Sequence, residues 1–116
     1  MEKEKINTKD EVIRLLSGKT PFERDVLVAT FQIPKGKVST YKRIAHKIGK
    51  PKAYRAVGNA LHKNPLAPIV PCHRVVRSDG RFGGGIEGAE SRRRLLEAEG
   101  ILIRNGKVKL SKEILF

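Results

Sequence analysis

The only cysteine in this chain, Cys72, is followed at once by a histidine in the segment Pro71-Cys72-His73-Arg74-Val75. A cysteine thiol has a pKa of about 8.5, so it is mostly protonated at neutral pH, and the thiolate is the nucleophilic form. An adjacent base can remove the thiol proton, and an acid that orients the imidazole would complete a Cys-His-Glu relay. Because Cys72 and His73 are neighbours in sequence, their side chains can diverge, and the proton would then cross a bridging water. The segment is suited to a nucleophilic thiolate, although many single cysteines are simply small core residues.

Two other kinds of site receive less support from the sequence. The chain has one cysteine, and His46, His62 and His73 lack ligand spacing, so we expect no internal disulfide and no metal site. The loop Gly80-Arg81-Phe82-Gly83-Gly84-Gly85 could cradle a phosphate, but no Lys-Ser/Thr follows it, as a P-loop requires. We interpret the loop as either a mobile lid or a simple connection.

The charge of the chain points to a polyanionic partner. Lysine and arginine number 25 against 12 aspartates and glutamates, which gives a formal net charge of +13 and a pI near 10.3. Such a surface attracts phosphate backbones in a salt-dependent way, although it can also be no more than a well-solvated surface. No apolar run approaches the ~18 residues of a membrane-spanning helix, and residues 1–5 lack the apolar core of a secretory signal. We therefore expect a cytoplasmic protein without membrane contact.

The chain is long enough for one domain with one modest core. We expect residues 1–19 to form an N-terminal extension and residues 20–116 to form the main domain. The extension should contain a short helix that Thr8 caps and that ends at about Leu16. The expected apolar face of this helix consists of Val12, Leu15 and Leu16.

The segment Thr20-Pro21-Phe22-Glu23 is a strong helix start signal. Thr20 can cap the helix, Pro21 suits the first helical position, and Glu23 completes a capping box. The helix should end before Pro34, because proline cannot continue it. Its expected buried residues are Phe22, Val26, Leu27 and Thr30.

Two further helices joined by a short glycine-containing turn predict a helix-turn-helix. Ser39 or Thr40 should cap the first helix, which runs to about Ile48, and Pro51 should open the second, which runs to about His62. The expected inward residues of the first helix are Ile44, Ala45 and Ile48. The second helix is rich in small residues, namely Ala53, Ala56, Gly58 and Ala60. A glycine inside a helix costs about 1 kcal/mol, so the small residues suggest that something approaches the backbone closely there.

The C-terminal part of the chain predicts a strand, a helix and a hairpin. Arg74-Val75-Val76 is typical of a short strand, and residues 78–88 form a glycine-rich loop. A helix is expected over residues 89–99, and Asn105-Gly106 between two apolar runs is a hairpin signal. The expected inward residues of that helix are Leu95 and Leu96. The whole predicts an α+β fold, mostly helical and winged-helix-like, with a helix-turn-helix and a small C-terminal β-hairpin.

Five short motifs occur in an order and spacing that a known family shares. They are Val38-Ser39-Thr40-Tyr41, Lys52-Ala53-Tyr54-Arg55-Ala56-Val57-Gly58, Asn64-Pro65, Pro71-Cys72-His73-Arg74-Val75-Val76 and Leu95-Leu96-Glu97-Ala98-Glu99-Gly100. Together they resemble the O6-alkylguanine-DNA alkyltransferases over roughly residues 20–100. The run Pro-Cys-His-Arg-Val is highly specific for that family.

The resemblance implies DNA repair by direct and irreversible alkyl transfer from O6-alkylguanine in duplex DNA, after base flipping. Cys72 would receive the alkyl group and stay modified, so that each molecule acts once, without a cofactor or a metal. His73 would draw the thiol proton through water, and Glu99 would orient His73. Asn64 would tie the helix-turn-helix to the active-site segment.

The resemblance also implies how DNA is held. The second helix of the helix-turn-helix would lie in the minor groove, Arg55 would replace the extruded nucleotide, and Tyr41 would crowd the adjacent phosphate to drive rotation. Further DNA contacts are implied for Lys52, Ala53, Ala56 and Gly58. The implied substrate pocket consists of Tyr41, Val70, Pro71, Gly84, Gly85 and Ile86. The protein would act as a monomer, associated with the nucleoid through DNA binding.

The chain departs from the family pattern in ways that keep alternatives open. We expect residues 1–19 to hold no counterpart of the N-terminal domain common in the family. Tyr54 is bulky beside Arg55, and the loop Gly85-Ile86-Glu87-Gly88 lacks the usual aromatic residue. The loop and the short chain look more like alkyltransferase-like proteins, which bind alkylated DNA without transfer and have another residue at the cysteine position. The retained Cys72 favours the enzyme over a lesion-binding protein, and over a winged-helix transcription regulator.

Overall fold

The computed structural model describes residues 8–67, 69–83 and 86–116, and gives no side-chain surroundings for residues 86 and 87. The described part contains five helices and two pairs of short strands. In chain order they are α1 (Lys9–Leu15), α2 (Pro21–Phe31), β1 (Ser39–Thr40), α3 (Tyr41–Lys47), α4 (Tyr54–His62), β2 (Val75–Val76), α5 (Ile86–Ala98), β3 (Ile103–Arg104) and β4 (Lys107–Val108). The chain is an α+β protein, as expected.

The first two helices begin at the predicted caps. The Thr8 hydroxyl accepts a hydrogen bond from the Glu11 amide at 3.2 Å at the start of α1. At the start of α2, the side chains of Thr20 and Glu23 each accept a hydrogen bond from the other's backbone amide at 3.1 Å, so the capping box is confirmed. The expectation that Leu15 faces inward is wrong, because Leu15 is 50% exposed. Val12 of α1 and Leu16, which caps the C-terminal end of this helix, lie in the main core.

The helix-turn-helix is present, but α4 begins at Tyr54 rather than at Pro51. The Ala53 amide donates to the Lys50 carbonyl at 2.9 Å, which closes a tight turn around Pro51 and Lys52. Proline fits the second position of such a turn as well as it fits the first position of a helix, and here the turn uses it. Lys52 and Ala53 therefore precede α4 instead of forming its first turn.

The segment before α3 joins distant parts of the chain. β1 pairs in parallel with β2, with Ser39 opposite Val75 and Thr40 opposite Val76. Val38, the residue before β1, forms an isolated parallel bridge with Leu115 near the C-terminal end of the sequence. The predicted strand at Arg74 is wrong, because a single turn of 3-10 helix over Cys72–Arg74 precedes β2.

The helix near the C-terminus begins earlier than expected. α5 starts at Ile86 rather than at residue 89, and the expectation that Leu95 faces inward is wrong, since Leu95 is 39% exposed while Leu96 is buried. The hairpin is confirmed, with Asn105 at φ 54° and Gly106 at φ 75° between β3 and β4. Positive φ at both residues gives a turn whose twist suits a two-residue hairpin.

Buried apolar side chains form two clusters. The main core lies among α1 to α4 and extends to β2; its buried members include Val12, Val26, Leu27, Ile44, Val57, Leu61, Val70 and Val75. The second core joins α5 to the hairpin and consists of Val38, Val76, Leu96, Ile101 and Val108. β1 and β2 sit at the junction of the two clusters. Within the described residues, none of the helices has the length and apolar content needed to cross a membrane.

Candidate functional site

Cys72 lies at the start of the 3-10 turn, half-buried at the edge of the main core. The Val70 carbonyl accepts two hydrogen bonds, from the Cys72 amide and from the Asn64 side-chain amide, each at 2.8 Å. The Asn64 side-chain oxygen in turn accepts from the Leu66 amide at 2.9 Å. Asn64 follows closely after α4, so it links the helix-turn-helix to the backbone that carries the thiol.

His73 is 4% exposed, and its Nε2 lies 3.0 Å from Oε2 of Glu99. An ionised carboxylate only accepts hydrogen bonds, so Nε2 must carry the proton that it donates to Glu99. In the neutral ring, Nδ1 then holds the lone pair and can act as a base. The pair therefore fixes the tautomer of His73 as well as the orientation of the ring.

Arg74 also binds the Glu99 carboxylate. The sequence analysis assigned no role to Arg74. Its Nε donates to Oε1 of Glu99 at 2.9 Å and its Nη2 to Oε2 at 2.7 Å, while Nη1 donates to the Ile33 carbonyl at 2.7 Å. Partial burial raises the pKa of Glu99, but hydrogen bonds from Arg74 and His73 outweigh it and lower the pKa to about 2. A buried carboxylate beside an imidazole needs a cation to compensate for lost solvation. This requirement could have indicated from the sequence that Glu99 needs a basic partner such as Arg74.

An open cleft of about 890 Å³ lies beside Cys72. The residues around it come from α3, α4, the 3-10 turn, the loop after β2, and α5. They include Tyr41, Tyr54, Arg55, Gly58, Asn59, Cys72, His73, Arg77, Gly83, Gly88, Ser91, Arg92 and Leu95. Four residues singled out for the reaction or for DNA thus share one cavity with Cys72, namely Tyr41, Arg55, Gly58 and His73.

Tyr41, the first residue of α3, is half-buried in this cleft between two glycines. A Cβ built on Gly83 would lie 2.4 Å from the Tyr41 hydroxyl oxygen, so no larger residue fits there without a shift. A Cβ on Gly58 would lie 3.7 Å from the ring, which is ordinary contact. Burial raises the pKa of the Tyr41 hydroxyl, the nearby Arg92 guanidinium opposes that rise, and the Cys72 sulfur adds to it.

The remaining residues assigned to DNA lie on the exposed side of the helix-turn-helix. Arg55 and Ala56 are exposed on the first turn of α4, and Arg55 lies at the rim of the cleft. Lys52 is exposed in the turn before α4, where it and Ala53 border a separate shallow depression. Above this turn, the Lys42 ammonium lies 5.4 Å from the centre of the Tyr54 ring.

The residues expected to form the substrate pocket do not all lie at the surface of the cleft. Val70 is fully buried in the main core and Pro71 is buried beside it, so neither side chain is at the cleft surface as the structure describes it. Gly84 and Gly85 lie outside the described residues, as does the side chain of Ile86. The sequence predicted a helix over residues 89–99, but it gave no signal that this helix borders the cleft beside Cys72. The cleft residues from α5 are Gly88, Ser91, Arg92 and Leu95.

Comparison with known proteins gives consistent matches over most of the chain. A family model for the DNA-binding domain of 6-O-methylguanine DNA methyltransferase matches residues 21–101. The methylated-DNA–protein-cysteine methyltransferase of Methanosarcina barkeri is 47% identical over 87 residues, which cover 75% of this chain and 55% of that protein. The Salmonella typhimurium protein of the same name is 40% identical over 93 residues, which cover 80% of this chain and 54% of that one. The chain spans about half the length of the curated relatives it matches.

Two solved structures show the same fold. S. pombe Atl1, crystallised with damaged DNA containing O6-carboxymethylguanine, superposes with a TM-score of 0.73 at 36% identity, covering 82% of this chain and 94% of that one. The O6-methylguanine methyltransferase of Mycobacterium tuberculosis superposes with a TM-score of 0.66 at 46% identity, covering 69% of this chain and 48% of that one. The match therefore covers almost all of the first relative and about half of the second.

Proposed function

Because the chain belongs to the 6-O-methylguanine DNA methyltransferase family, we propose that it repairs O6-alkylguanine in duplex DNA by transferring the alkyl group to Cys72. The observation that carries the proposal is the line of contacts behind the thiol. Cys72 borders an open cleft, His73 follows it, and Glu99 and Arg74 hold His73 in one tautomer. A cysteine that only packed in a core would have no use for this arrangement.

The chemistry follows from the tautomer of His73. Its Nδ1 accepts the thiol proton through a bridging water. Its Nε2–H remains hydrogen-bonded to the Glu99 carboxylate, and the negative charge of that carboxylate stabilises the imidazolium that forms. The Cys72 thiolate then attacks the alkyl carbon. A carbon–sulfur bond forms, the carbon–O6 bond breaks with its electron pair going to oxygen, and guanine leaves after taking up a proton. The thioether has no easy leaving path, so each molecule reacts once.

Base flipping is required because the alkyl carbon is inaccessible inside the base stack. We place α4 in the minor groove, with Arg55 filling the gap left by the extruded nucleotide and Tyr41 crowding the adjacent phosphate. Gly58 supports this placement, since a Cβ there would meet the Tyr41 ring only at ordinary contact distance. Packing within the protein therefore does not require a glycine at this position, and close approach of the DNA backbone would account for it. Lys52, Ala53 and Ala56 would contact the same groove.

The proposed partner is double-stranded DNA, which the net charge of +13 and the DNA complexes of the related structures support. The protein would act as a monomer in the cytoplasm, associated with the nucleoid. Residues 20–116 would carry the reaction, and residues 1–19 would be an extension, although Val12 and Leu16 of that extension already lie in the main core.

A second candidate function is recognition of alkylated DNA without transfer. The superposition with S. pombe Atl1, which was crystallised with damaged DNA containing O6-carboxymethylguanine, favours it. Cys72 decides against it as the primary function, since recognition alone needs neither a thiol nor an oriented imidazole. A winged-helix regulator is a weaker candidate for the same reason.

One experiment separates these functions. The protein is mixed with a duplex containing one O6-methylguanine, and intact-mass and peptide mass spectrometry are used to look for one methyl group on Cys72. Cys72→Ala is the matched control, and it should retain binding to the duplex while losing transfer. Tight binding of the lesion by the wild type with no adduct would favour recognition alone. Several turnovers per molecule would contradict the thioether mechanism.

A further inference from the structure

Three consecutive arginines on α5 have different surroundings. Arg93 pairs with Glu90 and with Glu97, the latter at 3.0 Å, and Arg94 pairs with Glu90 at 3.2 Å. These two lie among carboxylates of their own helix. Arg92 instead is half-buried and lines the cleft beside Cys72. Residues on the same helix face recur every three or four positions, so adjacent arginines point in different directions, and only Arg92 of the three faces the cleft.

The polar contacts of Arg92 are with neutral groups. Its Nε donates to the Gly88 carbonyl at 3.0 Å, and its positive charge is near enough to the Tyr41 hydroxyl to oppose the rise in the pKa of that group. Among the side chains that the structure describes, no carboxylate pairs with Arg92. A half-buried cation without an opposite charge is costly, and an anion in the cleft would relieve that cost.

The cleft as a whole has the same character. Arg55, Arg77 and Arg92 all border it, and none of the described residues that line it is an aspartate or a glutamate; Asp79, 4.0 Å from Arg77, lies outside this lining. Arg55 is at the exposed rim on α4, where DNA would approach. Arg92 lies on α5 and borders the same cleft as Tyr41 and Cys72.

We propose that Arg92 makes the protein accept O6 substituents that carry a negative charge, such as a carboxylate bonded directly to the reacting methylene. The proposal rests on the proposed function and specifies its substrate class. In the reaction, the Cys72 sulfur bonds to the methylene carbon and the carbon–O6 bond breaks. Guanine leaves with the electron pair and a proton, and the carboxylate stays ionised on the new thioether.

The physical problem that Arg92 solves is the repulsion between two anions. A thiolate approaching a methylene that bears a carboxylate meets a like charge only a few ångströms away, which raises the barrier in a cleft of low dielectric constant. A neutral substituent of the same shape has no such penalty and would normally react faster. A guanidinium that binds the carboxylate removes the repulsion and orients the methylene, because it presents two parallel N–H donors to two oxygens.

The test compares two substituents of the same shape on O6 of guanine in one duplex, carboxymethyl and carbamoylmethyl, by the rate of adduct formation on Cys72. For the wild type at low salt we expect carboxymethyl to react about fivefold faster than carbamoylmethyl. Arg92→Gln should reverse the order, and Arg92→Lys should keep part of the preference because it keeps the charge. Arg94→Gln removes the same charge from the same helix and should leave the ratio unchanged.

A ratio measured within one protein cancels effects of a variant on folding or on base flipping. A wild-type ratio below one overturns the proposal whatever the variants do, and so does an equal ratio in wild type and Arg92→Gln. If Arg92 instead held a backbone phosphate, Arg92→Gln would slow both substituents alike and reduce the salt slope of binding to undamaged duplex by about 0.9, which also contradicts the proposal. Methyl transfer to Cys72 tests the proposed function separately, because it needs no charged substituent.

Discussion

Gly83 and Tyr41 approach so closely that a single added carbon on residue 83 would collide with the Tyr41 hydroxyl oxygen, at 2.4 Å. The glycine-rich loop is therefore packed against the aromatic wall of the cleft at this position. The loop belongs to the same cavity as Cys72. The position of the Tyr41 ring therefore depends on residue 83 being a glycine.

Gly83→Ala should displace the Tyr41 ring and slow repair. A displacement of about 1 Å in a positioning group can cost up to about a hundredfold in rate, and we expect at least tenfold for transfer from O6-methylguanine in duplex DNA. The rate is measured by adduct formation under single-turnover conditions. Gly18→Ala is the control, because a Cβ there meets nothing within 4 Å. An unchanged rate for Gly83→Ala would show that Tyr41 can move without consequence.

Arg55→Ala should separate base flipping from chemistry. Extrusion of a paired nucleotide costs a few kcal/mol, and Arg55 is proposed to offset part of that cost by filling the gap. Reaction with duplex O6-methylguanine should therefore slow far more than alkylation of Cys72 by free O6-benzylguanine, which needs no flipping. Arg104→Ala removes an equal charge from the hairpin and serves as the control. Parallel slowing on both substrates would contradict the assignment.

Removing the cation behind the active site should destabilise the fold. Arg74→Met would leave the Glu99 carboxylate, with 11% of its side chain exposed, without its bidentate partner. Loss of one member of a buried pair typically costs about 3–5 kcal/mol, and we expect a decrease in the free energy of unfolding of about 3 kcal/mol, measured by urea denaturation. Arg94→Met, at a side chain that is 76% exposed, should change it little. If the two variants unfolded alike, Glu99 would not depend on Arg74.

The same carboxylate predicts how stability depends on pH. The pKa of Glu99 is lowered from 4.5 to about 2 in the folded protein, so the unfolded chain binds its proton more tightly than the folded protein does. The stabilisation is therefore complete above about pH 4.5 and is lost as the pH falls toward 2. The shift corresponds to at most about 3 kcal/mol. Urea denaturation at pH 6, 4 and 3 should show the loss in the wild type, and Glu99→Gln should flatten it. A wild-type curve as flat as the variant's would exclude this linkage.

Local features of the fold were predictable, and long-range ones were not. The capping box at Thr20 and the hairpin at Asn105-Gly106 depend on residues within four positions of one another, and both are confirmed. The start of α4 was misplaced because Pro51 suits both a turn and a helix start. The parallel pairing of β1 with β2 left no signal, since two-residue strands have no periodicity to detect.

The site shows the same division between local motif and distant partner. The resemblance identified Cys72, His73 and Glu99, and the structure brings the last two within 3.0 Å across 26 positions of sequence. The role of Arg74 was hidden because its neighbours Val75 and Val76 made the whole segment look like a strand. The cleft wall formed by α5, including Arg92, was missed because the sequence predicts the helix itself but not which distant residues it packs against.

The bridge between Val38 and Leu115 has a consequence for the order in which the protein folds. The Phe116 amide donates to the Val38 carbonyl at 2.8 Å, and the Phe116 carbonyl accepts from Nε of Arg43 on α3 at 2.9 Å. The start of α3, and with it Tyr41, is thus held by a segment far along the sequence, since Arg43 and Phe116 are 73 positions apart. Closing a loop of that length is slow relative to forming a helix, because its entropy must be lost before the contact forms. The early helices can therefore form well before this junction closes.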